Sequence, residues 1–186
     1  DKKLINLASK LKDVSEIGLD TEFIRESTYR PILALIQISI PNGEIYLIDP
    51  IAIHRRELIS NIISSSNLTK IIHSSKQDIE ALYSYTNTYP VNIFDTQIAS
   101  NFIFENSNVG YSTLVKNLCK CDIKEGSWRT NWLERPLSTK KTDYAADDVR
   151  YLIEIKSLLT KKLKALNRFS WFEEEQVNEL KKSNII

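Results

Sequence analysis

The sequence predicts an α/β fold in which a mixed β-sheet is flanked by helices, and two patterns carry that prediction. Residues 16–48 hold three strand-like segments joined by short polar turns, which is typical of an antiparallel meander. After residue 54, helical and strand-like segments alternate, which is typical of strands connected by crossover helices. The 186 residues are enough for one self-sufficient core, and 42% hydrophobic residues exclude a disordered chain.

The first part of the chain predicts a helix followed by the meander. Leu4, Leu7 and Leu11 recur at helical spacing, and apolar and polar residues alternate from residue 16 onward. A Pro-Asn-Gly sequence at 41–43 indicates a turn. The predicted elements are a helix over 2–14 and strands over 16–23, 31–40 and 44–48.

The second part of the chain predicts alternating strands and helices. Short β-branched segments indicate strands, and longer segments with apolar residues at helical spacing indicate helices. The segment 120–137, with its glycine, tryptophans and proline, is predicted to be irregular. The predicted elements are strands over 69–73 and 91–94, helices over 54–65, 75–85, 96–104 and 111–119, one long helix over 139–166 and a last helix over 170–182.

Charge, cysteine content and hydropathy narrow the class of protein. The 25 basic and 24 acidic residues give a net charge of +1, which neither demands nor excludes nucleic acid. Only two cysteines occur, which indicates a reducing compartment. The most continuous apolar stretch, 32–40, is far too short to cross a bilayer. We therefore expect a soluble, cytoplasmic protein that does not enter a membrane.

The first candidate for chemistry is an acidic pair at the end of the first predicted strand. Asp20 and Glu22 are two residues apart, so the period of a strand places both carboxylates on one face. Such a pair repels itself, and a hard divalent cation relieves the repulsion. Taken alone, the pair is better explained as part of a solvated strand face.

The second candidate lies in the long predicted helix. Tyr144 and Asp148 are four residues apart and share one helical face, while Asp147 lies about 100° around the helix. Ala145 and Ala146 permit the helix to approach the sheet closely. In isolation the pattern is better explained as a surface helix with a core tyrosine.

Two further acids stand where strands pass into helices. Asp78 falls in the first turn of a predicted helix, where Ser75 and Asp78 resemble a capping box. The same place is where open α/β sheets bind ligands, so both interpretations stay open. Asp95 is predicted to be an N-cap with a purely structural role.

In combination, these segments resemble the motifs of a known nuclease superfamily. The segments 19–25 and 35–38 resemble the first exonuclease motif of the DEDD superfamily, and 73–78 resembles the second. The segment 132–137, followed by Tyr144 and Asp148, is similar to the third motif in its tyrosine form. The family that fits best is bacterial ribonuclease D, and the resemblance runs from about residue 16 to 180.

The resemblance implies a fold, an activity and a set of site residues. The fold would be ribonuclease H-like, with a five-stranded mixed sheet whose second strand is antiparallel to the rest. The activity would be metal-dependent 3′→5′ exonucleolysis of RNA ends, tRNA precursors included. The matching acidic metal ligands would be Asp20, Glu22, Asp78 and Asp148, and Tyr144 would position the attacking water.

Two divalent ions, Mg²⁺ or Mn²⁺, are the cofactors that this resemblance implies. Asp20 would bridge the ions, Glu22 and Asp148 would hold the one that activates water, and Asp78 would hold the other. The residues assigned to substrate binding are Thr21, Phe23, Arg25, Lys76, Gln77, Trp128 and Arg129.

The domain organisation and binding surfaces complete the predictions. Residues 1–168 are expected to form the exonuclease domain, and 169–186 a helix that closes it or leads to an HRDC domain absent from this sequence. The segment 116–141 carries a local charge of +4 interleaved with Trp128 and Trp132, and this patch could contact RNA, although Trp132 is expected in the core. We expect a monomer.

Two alternative functions stay open at this stage. The first is a DNA 3′→5′ exonuclease of the same tyrosine subclass. The second is a non-catalytic nucleic-acid-binding module on a decayed nuclease fold, against which the intact set of acids argues.

Overall fold

The computed structural model describes residues 1–25, 30–104, 108–123 and 130–182 of the chain. Within these ranges five strands form a single sheet in the order β3-β2-β1-β4-β5. The strands are β1 (Glu16–Ile24), β2 (Ile32–Ser39), β3 (Ile45–Ile48), β4 (Thr69–Ile72) and β5 (Ile93–Asp95).

Eight α-helices in the described ranges surround the sheet. A turn of π-helix, Val115–Cys119, continues the fifth of them. The helices are α1 (Lys2–Lys10), α2 (Arg56–Ile63), α3 (Lys76–Thr86), α4 (Thr96–Asn101), α5 (Tyr111–Leu114), α6 (Thr139–Arg150), α7 (Leu152–Ala165) and α8 (Phe169–Lys182).

The pairing of the strands confirms the predicted mixed sheet. The central strand β1 is antiparallel to β2 and parallel to β4. β2 is also antiparallel to β3, and β4 is parallel to β5. β2 is therefore the strand that runs against the other four, because the short turns of the meander reverse the chain twice, whereas later strands follow crossover helices.

The two faces of the sheet have separate apolar cores. One core joins Ile17, Leu19 and Ile36 of the sheet to α1, α2 and α3. The other joins Ile71 and Phe94 to the helices on the opposite face, α7 among them. Since side chains alternate along a strand, Gly18, Asp20 and Glu22 lie on the second face. The acidic pair of β1 thus points away from the first core.

The prediction of one helix over 139–166 is wrong, because the helix is interrupted at Tyr151, between α6 and α7. In a continuous helix the Tyr151 N–H would donate to the carbonyl of Asp147. Here the hydroxyl of Tyr111 stands between them, accepting from Tyr151 N at 3.1 Å and donating to Asp147 O at 3.0 Å. A side chain inserted into the hydrogen-bond ladder is a known cause of helix kinks.

The last helix packs against the edge of the sheet. Gln176 donates its side-chain N–H to Ile93 O at 2.8 Å and accepts from Asp95 N at 2.7 Å, so its amide pairs with β5 as a neighbouring strand would. Phe172 is buried against Phe94, with the ring centroids 4.8 Å apart. In the described part of the chain, no helix combines the length and the apolar character that crossing a bilayer requires.

Candidate active site

Three of the predicted acids meet where β1 passes beneath α6. Asp20 and Glu22 come from the face of β1 that α6 covers, and Asp148 comes from α6 itself. One carboxylate oxygen of each lies within 4.8 Å of the other two. The register of β1 against β2 shifts directly after Glu22, and such irregularities are common where a strand aims side chains into a site.

Small and aromatic side chains set the height of α6 above the sheet. Ala145 is fully buried and packs with Leu35 of β2 and with Trp132. Trp132 is 2% exposed, which confirms that it belongs to the core. Its ring lies 6.1 Å from that of Tyr144. This packing directs Tyr144 and Asp148 toward the acidic pair.

Among the described residues, the three acids have no cationic partner. None of them forms an ion pair in the described ranges. Burial, and then the neighbouring carboxylates, raises the pKa of Asp20 well above its usual value and that of Glu22 to about 8. Burial likewise raises the pKa of Asp148 to about 7. Such a cluster holds protons or a hard cation, and a divalent metal ion fits it.

Asp78, at the start of α3, faces the acids of β1. The capping box predicted for Ser75 and Asp78 is wrong, because Ser75 makes no side-chain capping bond. The Asp78 carboxylate instead accepts from both N (3.1 Å) and Oγ1 (2.6 Å) of Thr21, between the two acids of β1. Burial raises its pKa to about 7, against the opposing effect of these bonds. Asp78 lies outside the group of three close carboxylates, and its role as a metal ligand stays a prediction.

Tyr144 is bonded to the acid one turn further along α6. Its hydroxyl donates to the carboxylate of Asp148. Burial, and then the charges of Asp148 and Glu22, raises the pKa of this tyrosine. The hydroxyl therefore keeps its proton at neutral pH, so it can orient a water molecule but does not act as a strong base.

A cavity of about 430 Å³ opens above the carboxylates. All four predicted acids and Tyr144 line it, as do three residues assigned to substrate binding, Thr21, Phe23 and Gln77. Two other assigned residues do not line it: Arg25 forms an ion pair with Glu80, and Lys76 lines a neighbouring cavity. Trp128 and Arg129 lie outside the described residues. The substrate-binding assignments stay predictions.

Sequence reasoning missed three residues in and beside this cavity. Tyr111 and His73 line it. The Nδ1 of His73 lies 2.9 Å from Thr96 Oγ1, and burial lowers its pKa to about 4, so the ring is neutral at pH 7. Gln37 is fully buried directly across from Asp20 on β2. The spacing of residues gave no signal for Tyr111 or His73.

The basic stretch at 116–141 contributes less charge to a binding surface than its composition suggests. Arg135 donates from Nε (2.7 Å) and Nη2 (2.8 Å) to Asp49 and also to Ala34 O. Lys141 pairs with Glu134 at 2.8 Å. Arg135 therefore ties the segment to β2, and Lys141 is paired within the segment, so neither charge is left without an acidic partner.

A model of the 3′-5′ exonuclease family matches residues 1–164. Among the similar proteins are ribonuclease D of Desulfotalea psychrophila, 38% identical over 174 residues, and ribonuclease D of Xanthomonas oryzae pv. oryzae, 39% identical over 161 residues. These alignments cover 94% and 87% of this chain, and 46% and 44% of the relatives. The chain thus spans about half the length of the curated relatives it matches.

Solved structures of related nucleases have the same fold as this chain. The crystal structure of Escherichia coli RNase D, described as an exoribonuclease involved in structured RNA processing, has a TM-score of 0.91 at 29% identity. The similarity covers 100% of this chain and 50% of that one. Brucella melitensis NrnC bound to pGG has a TM-score of 0.82 at 25% identity, covering 94% and 85% of the two chains. The ribonuclease H-like mixed sheet expected from the sequence is confirmed.

Proposed function

Because the chain belongs to the 3′-5′ exonuclease family, with a domain of the ribonuclease D type, we propose that it is a metal-dependent 3′→5′ exoribonuclease. The observation that carries this proposal is the group formed by Asp20, Glu22 and Asp148 in a cavity, with no cationic side chain paired to them in the described ranges. The cavity lies within the size range of small-molecule sites, which suits the terminal nucleotide of a strand.

Asp20, Glu22 and Asp148, together with Asp78, would hold two divalent ions, Mg²⁺ or Mn²⁺. When bound, two such ions supply an activated hydroxide and stabilise the leaving oxygen of the phosphodiester. Without them, the crowded negative charges of the site would repel the phosphate of the substrate.

The residues of the chain contribute positioning. The protonated hydroxyl of Tyr144, already bonded to Asp148, would orient the attacking water. Thr21 bonds Asp78 through its backbone and its side chain, which fixes that carboxylate beside β1. Phe23 and Gln77 line the cavity and would contact the terminal nucleotide. Attack of water on the last phosphodiester would release one nucleoside 5′-monophosphate and leave a strand shorter by one.

The substrate is proposed to be the 3′ end of RNA, tRNA precursors included. RNase D of Escherichia coli is described as processing structured RNA, and NrnC was solved with pGG, which supports a nucleotide ligand at this type of site. A monomer acting in the cytoplasm completes the proposal.

A time course on 5′-labelled single-stranded RNA tests the proposal. We expect a ladder that shortens from the 3′ end with Mg²⁺ or Mn²⁺ and stops with EDTA. Asp20→Asn should abolish it, whereas Asp13→Asn, an exposed acid outside the site, should not. DNA of identical sequence should be shortened more slowly, and equal rates on both would favour the DNA exonuclease. Binding of RNA with no shortening under either metal would favour the non-catalytic module.

A further inference from the structure

The break between α6 and α7 falls next to the candidate metal ligand Asp148. The carbonyl on its N-terminal side, Asp147 O, accepts a hydrogen bond from the hydroxyl of Tyr111 at 3.0 Å. The carbonyl on its C-terminal side, Val149 O, accepts one from Ser39 Oγ at 2.7 Å. The backbone on both sides of Asp148 is therefore tied by side-chain hydroxyls from other elements.

The two hydroxyls belong to elements that are far from α6 in sequence. Tyr111 is the first residue of α5, and its oxygen also accepts from Tyr151 N, so it fills the gap in the helix ladder. Ser39 is the last residue of β2 and lies across from Gly18 of β1. One hydroxyl thus connects the break to a neighbouring helix, and the other connects it to the sheet that carries Asp20 and Glu22.

Gly18 provides the space for this contact. A Cβ atom at this position would lie 2.3 Å from Ser39 Oγ and 3.1 Å from Val149 O. No side chain fits at such distances without a shift of the helix or of the serine. The absence of a side chain at Gly18 lets the broken helix rest directly on β1.

We propose that the hydroxyls of Tyr111 and Ser39 are positioning groups that hold Asp148 at the height above β1 that metal binding needs. This inference rests on the proposed function, because it assigns these groups to the same metal site. Metal ligands must be held to within about 0.5 Å of the working geometry, and loss of an outer-shell partner commonly costs 10- to 100-fold in metal affinity or activity.

The alternative is that the two hydroxyls contribute only to stability, as any buried hydrogen bond does. Two matched hydroxyls elsewhere separate the possibilities. Tyr85 donates to Pro50 O at 2.9 Å, and Ser84 donates to Pro31 O at 3.0 Å. Both lie at the end of α3 away from the cavity, and neither lines it. Tyr85→Phe and Ser84→Ala therefore remove comparable bonds without touching the site.

The test measures metal affinity directly. Mn²⁺ is titrated into the metal-free wild type and the four variants, Tyr111→Phe, Ser39→Ala, Tyr85→Phe and Ser84→Ala, and free Mn²⁺ is read from its electron paramagnetic resonance signal. Melting temperature, kcat and KM on RNA are measured in parallel. If Tyr111→Phe fails to fold, Ser39→Ala carries the test.

We expect Tyr111→Phe and Ser39→Ala to weaken Mn²⁺ binding by about 10-fold or more and to lower kcat at saturating RNA with little change in KM. The control variants should lower the melting temperature by a similar amount and keep the affinity of the wild type. Affinities within twofold of the wild type in both site variants would overturn the inference. A wild type that binds Mn²⁺ but does not cleave RNA would refute the proposed function alone, because the affinities would still decide the role of the hydroxyls.

Discussion

Two groups of acids in this molecule differ in the partners that the surrounding chain gives to their carboxylates. Asp95, which is 2% exposed, accepts hydrogen bonds from four backbone N–H groups, those of Ser74, Ser75, Gln97 and Ile98. Asp49 is paired with Arg135, whose bonds lower the pKa of that carboxyl. The acids of the cavity receive no ion pair in the described ranges, and their pKa values are raised.

The partners of a buried carboxylate therefore help to distinguish a structural acid from one that binds a ligand. A buried carboxylate with donors or an arginine is satisfied by the protein and stabilises it. A buried cluster of carboxylates without a cationic partner destabilises the metal-free protein and gains stability from an external cation.

The largest expected effect is on the rate of RNA cleavage, and it should differ between two neighbouring acids on α6. Asp148→Asn removes a carboxylate from the cavity, so RNA cleavage should fall by about 1000-fold or more, since the metal-dependent part of the rate is lost. Asp147→Asn removes an exposed ion pair with Arg150 and leaves every carboxylate of the cavity in place, so it should change the rate by less than about threefold. Initial rates on labelled RNA measure both. Comparable losses in the two variants would contradict the assignment of Asp148.

The next effect concerns the paired acid Asp49. Arg135→Ala should lower the free energy of unfolding by about 2–3 kcal/mol, because Asp49 and the carbonyl of Ala34 lose their donors. Lys140→Ala, on the exposed start of α6, should stay within about 0.5 kcal/mol of the wild type. Urea denaturation measures both changes. An Arg135→Ala variant with unchanged stability but weaker RNA binding would show that Arg135 binds RNA and does not stabilise the fold.

A smaller effect is expected at Asp95. Asp95→Asn keeps one acceptor oxygen but loses the charge and the bond from Ser75 N, so unfolding should become easier by about 1–2 kcal/mol. Cleavage per folded molecule should be unchanged below the melting temperature. A thermal melt together with a rate assay checks both parts, and a loss of rate without a loss of stability would place Asp95 among the functional acids.

The last effect is a dependence of stability on pH in the metal-free protein. Folding raises the pKa of Glu22 to about 8 and those of Asp78 and Asp148 to about 7, so the folded chain binds more protons than the unfolded one between about pH 4 and 8. With EDTA, this contribution to stability should therefore fall as the pH rises through that window. Mg²⁺ should reverse the loss at pH 8.

Asp20→Asn provides the matched control for this pH dependence. It removes one of the crowded charges, so at pH 8 in EDTA it should be more stable than the wild type by about 1–2 kcal/mol. It should also gain less from Mg²⁺. Urea midpoints at pH 5.5 and 8 measure both, and a variant less stable than the wild type at pH 8 would contradict the electrostatic account.

Local sequence patterns were sufficient for much of the fold and the site. Alternation along 16–23 placed Asp20 and Glu22 on one strand face, and the spacing of four placed Tyr144 and Asp148 on one helix face. The N-cap role of Asp95 also follows from its position between strand and helix. Each of these features depends on residues close together along the chain, so the local sequence is enough to predict it.

Sequence patterns thus predicted the mixed sheet and most of its elements, and the resemblance to ribonuclease D singled out the acids as candidate metal ligands. The helix break at Tyr151, the bonds of Thr21 to Asp78 and the pairing of Arg135 with Asp49 depend on contacts between distant elements. In each case the deciding group comes from a part of the chain 40 or more residues away, as with Tyr111 and Tyr151. Helical and strand periods carry no information about such partners, because packing of distant elements brings the donors and acceptors together.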